Sequence, residues 1–97
     1  MYYLIIGRDK PKSAALRQAN RPAHLAYWRG LRAYVPFGGP FSNEQGGSLG
    51  SMLVVEAADL AAAKALAAAD PYHKAGLFAK VEILPWRWVL NAPAEVI

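Results

Sequence analysis

The sequence predicts a single α+β domain in the order strand, helix, strand, strand, helix, strand. Three observations predict it. Two segments, Tyr2 to Arg8 and Leu49 to Glu56, are rich in β-branched and aromatic residues and apolar on both faces, as strands covered from both sides are. A third segment, Ala79 to Leu84, sets Val81 and Ile83 against Lys80 and Glu82, the alternation of a half-buried strand. Between these lie segments with helical spacing, and 97 residues leave room for one domain only.

The first strand, Tyr2 to Arg8, ends at the polar turn Asp9 to Lys12. Ser13 is placed to cap a short helix running through Ala19, because its hydroxyl can accept from an otherwise unpaired N–H. A second helical piece starts at Asn20 or Arg21, with Pro22 in its first turn, where the missing N–H costs nothing. His24, Tyr27, Trp28 and Leu31 then fall at i, i+3, i+4 and i+7 and form one face. Gly30 weakens the end of this helix.

Ala33 to Phe37 reads as a short strand containing Pro36 and ended by Gly38, Gly39 and Pro40. A proline cannot donate to a ladder, so this strand belongs at an edge. Phe41 to Ser48 reads as a loop with Gly46-Gly47 at its tip. Asp59 caps an alanine-rich helix, Leu60 to Ala69, which Asp70-Pro71 ends. Asp70 can itself cap the short turn Pro71 to Ala75, with Gly76 as its stop. Pro85 to Trp88 extends the last strand, and a tail begins at about residue 89.

Right-handed crossovers at both helices turn this order into a ferredoxin-like βαββαβ fold. It has a four-stranded antiparallel sheet with the first and third strands in the middle and helices on one face. The other face is too apolar to stay wet. Hydrophobic residues make up 55% of the chain, above the usual share of about 45–50%, and a small domain has a thin core. A homodimer packed through that face is therefore expected.

Composition excludes several functions. The chain has no cysteine, which removes disulfides, thiolate catalysis and cysteine-bound metals. The apolar stretch at Met1 to Ile6 is too short for a signal peptide, and no run approaches the ~20 residues of a membrane span. The expected location is the cytoplasm. The net charge of +4 is scattered and favours anionic ligands in general. An RNA-recognition domain of the same topology carries aromatics on its third strand. Leu49 to Val55 has none, so no nucleic-acid partner is expected. With two histidines and no carboxylate at ligand spacing from them, no metal site is expected, and no cofactor is called for.

His24 and Asp70 are the residues that could carry chemistry. His24 sits in a first helical turn, where the dipole disfavours the imidazolium. A neutral imidazole can act as a general base, or it can simply be a buried ring bonded to backbone. Asp70 is equally suited to orienting a histidine and to capping its own turn. Arg17 and Arg21 could hold an anionic group, and Ser51 could donate a hydrogen bond to it. His73, three residues from Asp70, adds a second titratable group.

Several pieces together resemble the YCII-related family: Asp9-Lys10, Arg21-Pro22-Ala23-His24-Leu25, Gly39-Pro40, Gly50-Ser51, Asp70-Pro71-Tyr72 and Ala75-Gly76. They run in order from about Tyr2 to Arg87. The resemblance implies a ferredoxin-like dimer with a pocket near the dimer interface and a His24–Asp70 pair as its active site. It also implies a link, through some relatives, to dehydrochlorination of chlorinated hydroxylated aromatics. Gly38 and His73 depart from the family pattern, His73 standing where an aliphatic residue is usual. The resulting expectation is a small-molecule enzyme working by proton transfer, by elimination or isomerisation of a small anionic or aromatic compound. His24 and Asp70 would be catalytic, and Arg17, Arg21, Ser51 and His73 would bind substrate. The alternative is a non-catalytic, small-ligand-binding or regulatory dimeric domain.

Overall fold

In the computed structural model, residues 1–94 are described, and the end of the expected tail, 95–97, lies outside them. The elements are β1 (Tyr2–Asp9), α1 (Ala14–Gly30), a 3-10 turn (Arg32–Tyr34), β2 (Phe37–Ser42), β3 (Ser48–Glu56), α2 (Leu60–Ala68), α3 (Pro71–Lys74) and β4 (Phe78–Trp86). The sheet order is β2-β3-β1-β4 and every pairing is antiparallel. The two strands apolar on both faces are the central ones. Among the described residues no helix is long and apolar enough to cross a membrane.

Strand alternation sorts the side chains. Tyr3, Ile5, Leu53 and Val55 pack under Trp28 of α1 and Ala63 and Ala67 of α2. The small alanines let α2 lie close on the sheet. Tyr2, Leu4, Ile6, Met52 and Leu84 fall on the opposite face by the same alternation. At one end of that face Tyr2, Phe37, Trp86 and Trp88 meet in edge-to-face contacts.

Two elements differ from expectation. The two short helices over residues 13–30 are one continuous helix, with Pro22 inside it. Proline at 22 removes the N–H that would bond the Gln18 carbonyl, but Gln18 is exposed and its oxygen can be hydrated. The Asn20 amide donates to the Leu16 carbonyl over 2.9 Å. Ser13 precedes the helix but makes no side-chain cap; its hydroxyl donates to the Lys10 carbonyl instead. Burial of the α1 face that carries Trp28 offsets the cost of the proline.

The second strand starts at Phe37, the residue where it was expected to end. Residues 32–34 form a 3-10 turn instead. Gly38, Gly39 and Pro40 do not end β2; they lie within it, pairing with Leu53, Met52 and Ser51. Proline is tolerated because β2 is an edge, so the reasoning about proline holds for Pro40 rather than Pro36. The loop shrinks to a turn closed by Asn43, whose side-chain oxygen accepts from the Gln45 and Gly47 N–H groups.

Candidate active site

The site is built where α1 and α3 meet above β3. Asp70 begins α3, with its side chain accepting from the Tyr72 N–H at 2.9 Å. The helix stops after one turn at Gly76, which takes a φ of +77° suited to glycine. There the Gly76 and Leu77 N–H groups donate to the His73 and Tyr72 carbonyls. This compact turn fixes the Asp70 carboxylate, 3% exposed, against α1.

Two α1 side chains, one helical turn apart, reach that carboxylate. His24 Nδ1 lies 2.8 Å from Oδ1, and Trp28 Nε1–H donates to Oδ2 over 3.0 Å. A carboxylate only accepts, so the proton in this pair belongs on Nδ1. Nε2 is then the nitrogen that can exchange a proton with a ligand. The His24 ring stacks on Tyr72, with centroids 3.9 Å apart.

Arg17 is on the same helix face. Its guanidinium makes a bidentate pair with Asp9, at 2.7 and 2.9 Å, and donates to the Ser51 hydroxyl at 2.9 Å. It also lies over the Tyr72 ring, 4.7 Å from the centroid. Burial works against its charge, but the hydrogen bonds and charge of Asp9 outweigh it and hold the guanidinium above its ordinary pKa. Burial raises the Tyr72 phenol, against the pull of Arg17 and Arg21.

A cavity of about 290 Å³ opens beside this assembly, near the lower end of the range for small-ligand sites. Arg17, Arg21, His24, Ser51 and Tyr72 line it, and Leu25, Trp28, Val35, Pro40 and Leu53 supply apolar walls. Arg29 and Arg32 add positive charge, and no carboxylate is among the described lining residues. The cavity has room for about one substituted ring, with an imidazole and positive side chains in its lining.

Of the expected site residues, the fold thus brings together His24, Asp70, Arg17, Arg21 and Ser51. His73 is exposed and stands outside the cavity lining. Asp70 is surrounded instead by His24, Trp28 and the Tyr72 N–H, because a one-turn helix sends residues 72 and 73 in different directions. Sequence reading missed Asp9 as the anchor of Arg17, Trp28 as a partner of Asp70, and Arg29 and Arg32 at the cavity. The signal was present: Arg17, Arg21, His24 and Trp28 are spaced at i, i+4, i+7 and i+11, one stripe of a continuous helix. Splitting the helix at Pro22 hid it. Among the described residues no cluster of potential metal ligands occurs.

A protein named YciI from Escherichia coli O6:H1 is 38% identical, the match covering 92% of this chain and 99% of the relative. An uncharacterized protein of Haemophilus influenzae is 35% identical with the same coverage. Among solved structures, 5-chloro-2-hydroxyhydroquinone dehydrochlorinase (TftG) from Burkholderia phenoliruptrix AC1100, complexed with 2,5-dihydroxybenzoquinone, superposes with a TM-score of 0.81. It is 35% identical over 90% of this chain and 94% of that one. Rv0793 from Mycobacterium tuberculosis, at 15% identity and a TM-score of 0.50 over 93% of this chain and 97% of its own, shares the fold. The YCII-related domain profile matches residues 1–87, and the chain belongs to the YCII-related family.

Proposed function

We propose that this protein is a small-molecule enzyme that eliminates or isomerises by proton transfer, with His24 as the acid–base group. The observation that carries the reading is the buried Asp70 carboxylate 2.8 Å from His24 Nδ1, with the His24 ring lining a cavity. A carboxylate there fixes the tautomer and stabilises the ring when it gains a proton. Nε2 then takes the proton from the ligand.

The substrate class follows from the walls. Arg21, Arg29 and Arg32 suit a phenolate or carboxylate, and the Trp28–Val35–Leu53 side suits a ring. Ser51, already accepting from Arg17, has a hydroxyl proton to offer a ligand oxygen. Arg17 is committed to Asp9 and Ser51, so anion binding falls to Arg21 with Arg29 and Arg32. Dehydrochlorination of a chlorinated hydroxylated aromatic, the activity named for the relative of known structure, fits this set. One proton passes to the base, chloride leaves with the electrons of its bond, and the electrons of the broken X–H bond form the new π bond. No oxidant or reductant is required. The working unit is a homodimer paired through the open face of the sheet.

The test is chloride release from a panel of chlorinated hydroquinones and catechols. Turnover by the wild type and its loss in His24→Ala are expected. Full turnover by His24→Ala would remove His24 from the mechanism. Compounds bound and recovered unchanged across the panel would favour a non-catalytic binding domain.

A further inference from the structure

The Asp70 carboxylate has two oxygens, and only one of them serves His24. The other is held by Trp28 Nε1–H at 3.0 Å. From these contacts we infer that Trp28 is a positioning residue, whose indole N–H sets the orientation of the Asp70 carboxylate toward His24. This rests on the reading of His24 as the proton-transfer group, and adds to it a residue that touches neither the base nor its proton directly.

Three features support the assignment. First, Trp28 is 6% exposed and Asp70 is 3% exposed. No bulk water competes for Oδ2, so the indole contact decides where that oxygen points. Second, Trp28 lies four residues beyond His24 on α1, so the same helix carries the ring and the brace. The two donors bind the carboxylate at opposite oxygens, and rotation about χ2 of Asp70 would break both. Third, the Tyr72 N–H and His24 share Oδ1. Without the indole, the carboxylate would keep its two bonds on one oxygen and lose the constraint on the other.

The energetic sense is definite. A hydrogen bond donated to the charged form of a carboxylate stabilises that charge and lowers its basicity. Removing the indole N–H leaves Oδ2 a buried acceptor without that partner, so the carboxylate turns more freely about χ2 and its hold on His24 Nδ1 loosens. The other titratable or charged groups around the pair are Arg17, Arg21 and Tyr27 on α1, with Arg17 tied to Asp9 of β1, and Tyr72 and His73 on α3. Tyr27 reports the same charge: burial raises its phenol and the nearby Asp70 raises it further. None of these groups is altered when Trp28 becomes Phe, which keeps a ring in the core and removes only the donor.

The experiment follows the His24 ring and the indole N–H by 1H–15N NMR across pH, with no substrate. In the wild type the Trp28 indole proton should exchange more slowly than those of Trp86 and Trp88 and should change its resonance when the His24 ring gains a proton. In folded Trp28→Phe the His24 Nδ1–H proton should exchange with water several-fold faster, because the Asp70 carboxylate then holds it less firmly. An indole resonance that exchanges like the other two and does not follow His24 would overturn the assignment, even if the variant failed to fold. So would an unchanged Nδ1–H exchange rate in folded Trp28→Phe. Because no turnover enters, the result is separable from the enzymatic reading. Loss of the coupling removes Trp28 and leaves His24 standing, whereas turnover by His24→Ala removes the base and leaves the hydrogen bond.

Discussion

The His24 imidazole lies flat on the Tyr72 phenol, with centroids 3.9 Å apart and planes 15° from parallel. Tyr72 is 1% exposed and carries Arg17 on its ring at 4.7 Å. The stack continues the bracing of His24 from the edge of its ring, where Asp70 holds it, to its face.

The Tyr72 ring and hydroxyl should therefore separate in mutants. Tyr72→Ala removes a buried ring and is expected to cost about 3–5 kcal/mol in urea unfolding. Tyr72→Phe keeps the stack and should cost under about 1.5 kcal/mol. If both variants lost the same stability, the stack would not be the source.

Alkaline pH should destabilise the fold through two phenols. Burial is the main cause that raises both Tyr27 and Tyr72, so the folded state holds these protons more tightly than the unfolded chain does. Their contribution is fully present below the unfolded value of about 10 and is lost as pH rises through the folded values. Unfolding midpoints should fall above about pH 10, and the fall should be shallower in Tyr27→Phe and in Tyr72→Phe. An equal slope in all three proteins would mean that neither phenol carries the alkaline loss.

Asp70 should be more sensitive to loss of charge than its size suggests. In Asp70→Asn one oxygen can still serve His24 and the Tyr72 N–H, but the amide NH₂ then faces the Trp28 N–H, donor against donor. An expected cost of about 1–3 kcal/mol follows from the unsatisfied buried group. Adding Trp28→Phe removes the conflict, so the double variant should lose less than the sum of the singles. A double-mutant cycle by urea denaturation checks this; strict additivity would exclude the conflict.

The Asp9–Arg17 pair should behave as a buried ion pair, its side chains being 6% and 12% exposed. Asp9→Ala or Arg17→Ala alone leaves an uncompensated charge or an unsatisfied acceptor and is expected to cost about 3–5 kcal/mol. Asp9→Leu combined with Arg17→Met should recover part of that loss. Thermal and urea unfolding of the three proteins decide it, and a double variant weaker than either single would show that the pair is not the unit.

Gly50 should tolerate no side chain. A β-carbon there would overlap the Gly7 carbonyl across the sheet and the Phe41 ring. Gly50→Ala is expected to cost about 1–3 kcal/mol by overpacking and to disturb Ser51 beside it. Wild-type stability in Gly50→Ala would mean that Phe41 and strand β1 yield easily.

Much of this was legible in the residues. Tyr2 to Arg8 and Leu49 to Glu56, apolar on both faces, are the central strands β1 and β3. The order of elements, the caps at Asp59 and Asp70 and the stop at Gly76 follow from equally local rules. His24 and Asp70 stood out by residue type and by resemblance to a family. Local chemistry could not show that α1 runs through Pro22, since the burial that outweighs the proline's cost comes from the sheet beneath. Nor could it place β2 at Phe37, where pairing with Val54 rather than propensity sets the register. The contact between His24 and Asp70 spans 46 residues of sequence and exists only where α1 crosses α3. The same crossing spends Arg17 on Asp9 and Ser51, turns Trp28 from a core aromatic into a donor to Asp70, and leaves His73 outside. Periodicity along a chain reports which face of an element is buried; which side chain meets which depends on how two elements cross, and that only the packed structure decides.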